Sequence, residues 1–584
     1  MRIAVLDLDK CQPKKCNYLC IRFCPGVRMG EETIVVDEDT KKPLISEVLC
    51  SGCGICVHKC PFKAITIVNL PEELDRPIHQ FGPNTFRLYR LPIPRENQVL
   101  GLLGANGVGK TTAIRILSGE ITLNLGEYSS EEEQDISTYF RGSELQTYFE
   151  QLQSGTLEVI MKPQQITTIP AVVKGQVSDV VEKMDERGVL PDLVRALDME
   201  VALPKKIENL SGGELQRMAL IVAMCREADV YYFDEPSSFL DINQRLNVSR
   251  TIRRLSEEKS VIVVEHDLAL LDYLSDYVHI LYGQPGVYGI CSVPYGVRVG
   301  INSYLRGYLK EENVRFRKEE IKFDTTGKIW KGKEILLGYP PLSKKFEEFT
   351  FQGQPGEIHT GEVIGIIGPN AIGKSTFIKI LAGVIDAEEE FETTLIISYK
   401  PQYLESGYKG TVQEVLFALN KTPLSSFQMT EIIKPLGLER LMDNIVSELS
   451  GGELQRLSIV LCLLRDADIY LLDEPSAYLD VEQRLAAARV VRRFMEQNEK
   501  AAMIVEHDLV SVDYISDRLI VFLGTPGVDG EASPPVGLRD GMNTFLKTIG
   551  ITFRREPETG RPRANKEESL LDREQKSKGE YYYE

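Results

Sequence analysis

The sequence predicts an α/β protein: two tandem P-loop nucleotide-binding domains preceded by a small α+β domain rich in cysteine. Three observations carry the prediction. Eight of the eleven cysteines lie within the first sixty residues, in two runs that each end in Cys-Pro. Two loops of the form G-x4-G-K-[ST], GANGVGKTT at 104–112 and GPNAIGKST at 368–376, each continue a short apolar run, VLGLLG or VIGIIG. The same series of shorter motifs then follows each loop in the same order. At 584 residues the chain is too long for one hydrophobic core, and about 150 residues per domain suggests three or four units.

A content of 43% apolar and 26% charged residues is that of an ordinary folded soluble protein. No run of eighteen apolar residues occurs, and MRIAVLDLDK lacks the cationic start and apolar core of a signal peptide. A cytoplasmic chain without a membrane span is expected. The net charge of -18 argues against polyanion binding by the whole surface, yet 283–322 and 539–566 each hold seven Lys and Arg against four and three acids.

The cysteine domain, 1–75, reads Cys11-x4-Cys16-x3-Cys20-x3-Cys24-Pro25, then Cys50-x2-Cys53-x2-Cys56-x3-Cys60-Pro61. In a reducing compartment thiols at such spacing mean metal rather than disulfides. The second run has the bacterial ferredoxin spacing, in which the fourth cysteine serves the other cluster. On that rule one 4Fe-4S cluster takes Cys11, Cys16, Cys20 and Cys60, and the other takes Cys50, Cys53, Cys56 and Cys24. Zinc is the alternative for four thiols. IVVDE at 34–38 and AITIV at 64–68 supply strands for a ferredoxin-like fold, and Lys14, Lys15, Arg22 and Arg28 give the first run a basic face. Cys225, Cys291 and Cys462 are scattered and read as buried apolar residues.

The nucleotide-binding domains are expected at 76–282 and 331–523. In each loop the backbone amides and the following helix N-terminus surround phosphates, the lysine reaches the outer ones and the hydroxyl binds magnesium. Those parts are Gly104, Asn106, Gly107, Gly109, Lys110, Thr111 and Thr112 in the first copy, and Gly368, Asn370, Gly373, Lys374, Ser375 and Thr376 in the second. Ala371 stands where the first copy has Gly107. YYFDEPSSFLD at 231–241 and YLLDEPSAYLD at 470–480 end apolar strands in Asp-Glu. Asp234 and Asp473 suit the magnesium shell, and Glu235 and Glu474 suit orienting or deprotonating the attacking water. His266 and His507, in matching VEHD segments, suit contact with the terminal phosphate. Phe81 and Phe86 are candidates for stacking adenine in the first site, with Phe346 and Phe349 weaker ones in the second.

Spacing exposes one difference between the copies. From Lys110 to Gln164 is 54 positions, but from Lys374 to Gln402 only 28, so the first copy holds about 26 extra residues. They fall near 121–150, where the acidic run Glu131–Glu133 precedes Leu145, Tyr148, Phe149 and Leu152 at helical intervals. A helix-loop-helix is expected there, with one helix in 129–140 and Ser143 capping the next. GQPGVYG at 283–289 answers GTPGVDG at 524–530, and the segments 283–330 and 524–555 read as ordered hinges. The charged tail 556–584 is expected to fray over its final twenty residues.

LSGGELQR at 210–217 and 449–456 completes a set that resembles the ATP-binding cassette superfamily. The resemblance implies head-to-tail lobes with ATP between them. The first site then joins Lys110, Thr111, Gln164, Asp234, Glu235 and His266 with Ser450, Gly451 and Gly452. The second joins Lys374, Ser375, Gln402, Asp473, Glu474 and His507 with Ser211, Gly212 and Gly213. Gln164 and Gln402 would share the magnesium ions with Thr111 and Ser375.

With the cysteine runs, the one-copy insert and both GxPGxxG segments, nearly the whole chain resembles the ABCE (RNase L inhibitor) subfamily, and its compactness points to an archaeal source. That implies an ATP hydrolase that splits ribosomes into subunits. Its partners would be release factor one or a Pelota-type factor, the small subunit and initiation factors, with no membrane. Arg298, Arg306, Arg539, Arg554 and Arg555 would contact ribosomal RNA from the hinges. The alternatives are the ATPase subunit of a transporter and an ATP-gated electron-transfer protein.

Overall fold

The computed structural model describes residues 2–7, 10–37, 40–46, 49–69, 76–128, 136–323, 334–402, 407–420 and 423–583. Each nucleotide-binding lobe is a nine-stranded sheet, and the two sheets have the same strand order. In the first lobe Tyr277–Gln284, Val99–Leu103, Ser260–Val264, Val230–Asp234 and Val159–Lys162 pair in parallel. Val99–Leu103 and Val230–Asp234 are buried at every residue, which is why they read as unbroken apolar runs rather than alternating ones. The second lobe repeats this with Arg518–Thr525, Val363–Ile367, Ala501–Val505, Ile469–Asp473 and Ile397–Lys400.

The GxPGxxG segments are not hinges. They are the turns of antiparallel hairpins inside the cassette sheets, Tyr277–Gln284 with Tyr288–Cys291 and Arg518–Thr525 with Asp529–Ala532. Each turn braces a phosphate loop: Gly286 N–H donates to Gly107 O and Gly527 N–H to Ala371 O, both at 2.9 Å. A Cβ at Gly289 would lie 1.9 Å from Val108 O, and one at Gly530 2.0 Å from Ile372 O. Backbone oxygens of a phosphate loop cannot yield cheaply. Gly289→Ala is therefore expected to weaken ATP binding at the first site by about tenfold or more while the second site keeps its affinity. Site-resolved nucleotide titration checks this, and unchanged first-site affinity would refute it.

In the cysteine domain Arg2–Leu6 pairs antiparallel with Ile65–Asn69, and Ile34–Val36 with Pro43–Ile45. The strand expected over 34–38 ends at Val36, and Glu38 lies outside the described residues. Pro13 and Pro25 open two of the short helices, where a missing amide costs nothing. Asn84 Nδ2 donates to Ile45 O at 3.1 Å and ties this domain to the first lobe.

The insert holds helices Ile136–Tyr139 and Glu144–Ser154, while 129–135, with the acidic run, lies outside the described residues. Ser143 sits at the cap position, but its hydroxyl donates back to Phe140 O at 2.7 Å instead of accepting from the helix. Leu145 and Phe149 are buried, and Tyr148 OH donates to Leu117 O at 2.8 Å, so the longer helix is fastened to the end of the phosphate-loop helix.

The tail does not fray. Pro562–Ala564 pairs with Phe553–Arg555, Tyr582–Tyr583 joins on the other side, and Leu570–Lys578 is a helix capped by Ser569. Arg561 and Tyr582 are among the most buried large side chains of the chain, and Tyr582 shares a core with residues of both lobes. Charge alone suggested disorder, but these charges are paired. Arg561 and Arg563 reach Asp272 at 2.6 and 2.8 Å, and Arg555 reaches Asp513 at 2.5 Å. The hinge arginines expected to contact RNA also have partners within the chain, and Arg298, Arg306 and Arg539 stay half-exposed. Arg298 pairs with Glu556 and Arg306 with Glu558, at 2.9 and 2.6 Å. Arg539 lies 3.6 Å from Glu580, and Arg554 donates to Asn565 Oδ1 at 2.7 Å. Among the described residues no helix is long and apolar enough to cross a membrane.

Candidate active site

Both phosphate loops lead from a central strand into a helix, Lys110–Leu117 or Lys374–Leu381. Gly109 and Gly373, just before these helices, have φ of 94° and 98°, which glycine adopts without strain. Gly107 has φ 78° and Ala371 56°, so alanine keeps the bend at a cost of about 1–2 kcal/mol. Lys110 Nζ donates to the carbonyls of Gly104 and Ala105 at 2.8 Å, and Lys374 Nζ to those of Gly368, at 2.9 Å, and Pro369. Burial pushes both lysines down, Lys374 to about 8. Thr112 and Thr376 follow, half-buried, on the first helical turn.

The Asp-Glu ends of the strands lie against these loops. Thr111 Oγ1 donates to Asp234 Oδ2 at 2.9 Å. Asp234 Oδ1 and both oxygens of Asp473 are buried without a hydrogen-bond partner. Burial raises both carboxyl groups, Asp234 to about 6. Stripped of water and donors, such oxygens are what a divalent cation satisfies, so these residues fit magnesium together with the loop hydroxyls. Glu235 and Glu474 both have φ 47°, a strained conformation held by identical amide bonds to Val264 O and Val505 O at 3.0 Å.

Around the glutamates the two sites differ. Glu474 Oε1 accepts from Gln402 Nε2 at 2.7 Å and lies 3.1 Å from His507 Nε2. In the first site His266 Nε2 is 3.7 Å from Glu235 Oε1, and Gln164 is exposed. Burial lowers both histidines, which keeps the rings neutral. Of the aromatic candidates, Phe81 is 52% and Phe346 41% exposed. Phe86 and Phe349 instead pack on the loops, against Gly109 and Gly373.

Between the lobes the structure brings together residues to which the sequence reading gives no role. Asp480 Oδ2 accepts the N–H of Asn106 at 2.9 Å, and Asp241 Oδ2 that of Asn370 at 2.8 Å. The other oxygen of each aspartate caps its own helix through Gln483 or Gln244. The signal was present as the repeated FLD and YLD after each Asp-Glu. Arg245 and Arg484, pairing with Asp267 and Asp508 at 3.2 and 3.4 Å, lie on the same interface, where Arg245 also reaches His507 O at 3.4 Å. The signature residues are not brought to the opposite loops by any hydrogen bond among the described residues. Ser211 and Ser450 are exposed and closed into capping boxes with Glu214 and Glu453, one residue past Gly213 and Gly452.

The N-terminal thiols fall into two sets. Cys16 and Cys60 lie near enough to help raise the pKa of Cys11 and Cys20, and Cys24, Cys50 and Cys53 near enough to help raise that of Cys56. Burial is the larger cause, taking Cys20 to about 12 and Cys11 and Cys56 to about 11. Thiols in this position ionise only when a metal takes the proton's place. Ala64 N–H donates to Cys60 Sγ at 3.4 Å, a bond suited to a thiolate ligand. Cys225, Cys291 and Cys462 are buried.

Twin lobes with phosphate loops, Asp-Glu strand ends and reciprocal interface aspartates define an ATP hydrolase with two cassettes, joined to an iron-sulfur domain. The ABC transporter family model matches residues 94–238 and 352–477. The model described as a possible Fer4-like domain in RNase L inhibitor, RLI, matches 1–32, and that for a 4Fe-4S binding domain matches 43–66. The chain is 55% identical to an uncharacterized ABC transporter ATP-binding protein of Methanocaldococcus jannaschii, over 100% of this chain and 98% of the relative. It is 46% identical to translation initiation factor RLI1 of Saccharomyces cerevisiae, over 100% and 98%. Among solved structures it resembles the ribosome-bound archaeal Pelota and ABCE1 assembly, with a TM-score of 0.93, 55% identity and 100% and 99% of the two chains covered. It also resembles the complex of archaeal ribosomal stalk protein aP1 with archaeal ribosome recycling factor aABCE1, with a TM-score of 0.84, 56% identity and 88% and 100% covered. The chain belongs to the ABCE, or RNase L inhibitor, family of ATP-binding cassette proteins.

Proposed function

We propose that this chain splits ribosomes into subunits after termination or rescue, together with release factor one or a Pelota-type factor, and then stays on the small subunit, where initiation factors join it. The full-length likeness to a ribosome-bound relative, cysteine domain included, is the observation that supports this most. Glu235 and Glu474 take the part of orienting or deprotonating water. Asp234, Thr111 and Gln164, and Asp473, Ser375 and Gln402, hold magnesium, which offsets phosphate charge when bound. His266 and His507 take the contact with the terminal phosphate, and of the candidates Phe81, Phe86, Phe346 and Phe349 the exposed Phe81 and Phe346 are the ones left to stack on adenine.

Coupling to movement follows from the interface aspartates. A phosphate entering the first loop competes with Asp480 for the Asn106 amide, and one entering the second competes with Asp241 for Asn370. Nucleotide binding therefore changes a contact between the lobes, and the displaced segments leave room for Ser450 to Gly452 and Ser211 to Gly213 to approach. The cysteine domain, bonded to the first lobe through Asn84, moves with it. Two 4Fe-4S clusters, on Cys11, Cys16, Cys20 and Cys60 and on Cys50, Cys53, Cys56 and Cys24, give that domain its rigidity. The neighbours of Cys11, Cys20 and Cys56 support this division.

The test is sucrose-gradient sedimentation of purified archaeal ribosomes with this protein, a Pelota-type factor and ATP. Whole ribosomes should convert to subunits, and a Glu235→Gln, Glu474→Gln double variant should comigrate with the small subunit. A protein that ignored ribosomes under every nucleotide condition would sink the proposal.

A further inference from the structure

We infer that Ser238 is a positioning residue that restrains Glu235 and has no counterpart at the second site, so that the chain itself sets its two hydrolytic carboxylates differently. The inference rests on the reading of Glu235 and Glu474 as the groups that activate water. Ser238 Oγ donates to Glu235 Oε2 at 3.0 Å. In the second copy, DEPSAYLD, the matching position is Ala477, which has no hydroxyl to give.

The backbone cannot be the origin of the difference. Glu235 and Glu474 share φ 47° and the same 3.0 Å amide bond, and their carbonyls accept from Gln216 and Gln455 at 2.9 and 2.6 Å. Only the side chains diverge. Glu474 gives Oε1 to Gln402 and His507, and its Oε2 takes no hydrogen bond among the described residues. Glu235 has Oε2 engaged by Ser238, and neither ring nitrogen of His266 has a hydrogen-bond partner.

Two physical effects act in one direction. The donated bond holds the side chain in place and occupies an oxygen that water would otherwise use. Ser238 also lies in the turn that ends at Asp241, whose Oδ2 holds the Asn370 amide of the opposite phosphate loop. The hydroxyl thus ties the first site's carboxylate to a segment whose position depends on the second site. At the second site Ala477 leaves Glu474 without that tether.

The experiment isolates each site and exchanges the two residues. With the second site silenced by Glu474→Gln, Ser238→Ala should raise kcat for ATP about tenfold with KM nearly unchanged, while Ser238→Thr, which keeps the hydroxyl, should match the parent. With the first site silenced by Glu235→Gln, Ala477→Ser should lower kcat by a similar factor. Opposite signs at the two sites are not produced by a general loss of packing. Changes of the same sign, no change in kcat, or an effect confined to KM would overturn the inference. If the Glu235→Gln, Glu474→Gln parent still hydrolysed ATP, the reading of the glutamates would fail instead, and the two failures are distinguishable.

Discussion

Replacing Glu235 and Glu474 together by glutamine is expected to lower ATP turnover by about 10²–10⁴-fold while nucleotide binding persists. Glutamine keeps the shape of the side chain, and the positive φ at both positions belongs to the turn rather than to the carboxylate, so the fold has little reason to change. What is lost is an acceptor for the proton of water. At Glu474 burial pushes the carboxyl up, but hydrogen bonds from His507 and Gln402 and the charge of Lys374 outweigh it and hold the group at about 2. It is therefore ionised throughout the working pH range, and a glutamine amide cannot imitate that charge. Single-turnover phosphate release set beside retention of bound nucleotide separates the two effects. Turnover within about threefold of the parent would show that other groups activate the water.

Most of the hydrolytic machinery was legible in the sequence because it consists of local segments with fixed spacing. A phosphate loop, an Asp-Glu strand end and a VEHD segment each carry their meaning within a few residues, and duplication removed the chance reading. What escaped was non-local. Asp241 and Asp480 act across the lobe interface, and no spacing rule says which amide a carboxylate will meet 129 or 374 positions away. The GxPGxxG turns looked like hinges because glycine and proline mark bends. Whether a bend lies between domains or inside a hairpin depends on the pairing of Tyr288–Cys291 and Asp529–Ala532, which composition does not contain. The tail misled for the same reason: Arg561 and Arg563 are charged in sequence and meet Asp272 far along the chain.

That tail gives the second large expected effect. Arg561→Met should cost about 3–5 kcal/mol in the local stability of the C-terminal sheet, because the ion pair it breaks with Asp272 is wholly buried on both sides. Asp272 would keep Arg563, at 2.8 Å, but would lose its shorter contact. The pair is also a handle. Asp272 and Asp513 each stand six residues after the site histidine, His266 or His507, on the short helices Leu268–Leu274 and Leu509–Ile515. The C-terminal segment grips the first through Arg561 and Arg563 and the second through Arg555 and Tyr582. One rigid element therefore holds matching helices of both lobes, each continuous with a hydrolytic site. Unfolding of so large a chain is not two-state, so the useful readout is amide exchange in Pro562–Ala564, expected to accelerate about 10²-fold or more. An Asp272→Leu, Arg561→Met double variant removes both members of that pair but leaves Arg563 without its partner, so it should recover only part of the loss. If Arg561→Met left exchange in that strand within about fivefold of the parent, packing of Phe553, Ala564 and Tyr582 alone would be holding the tail to the lobes.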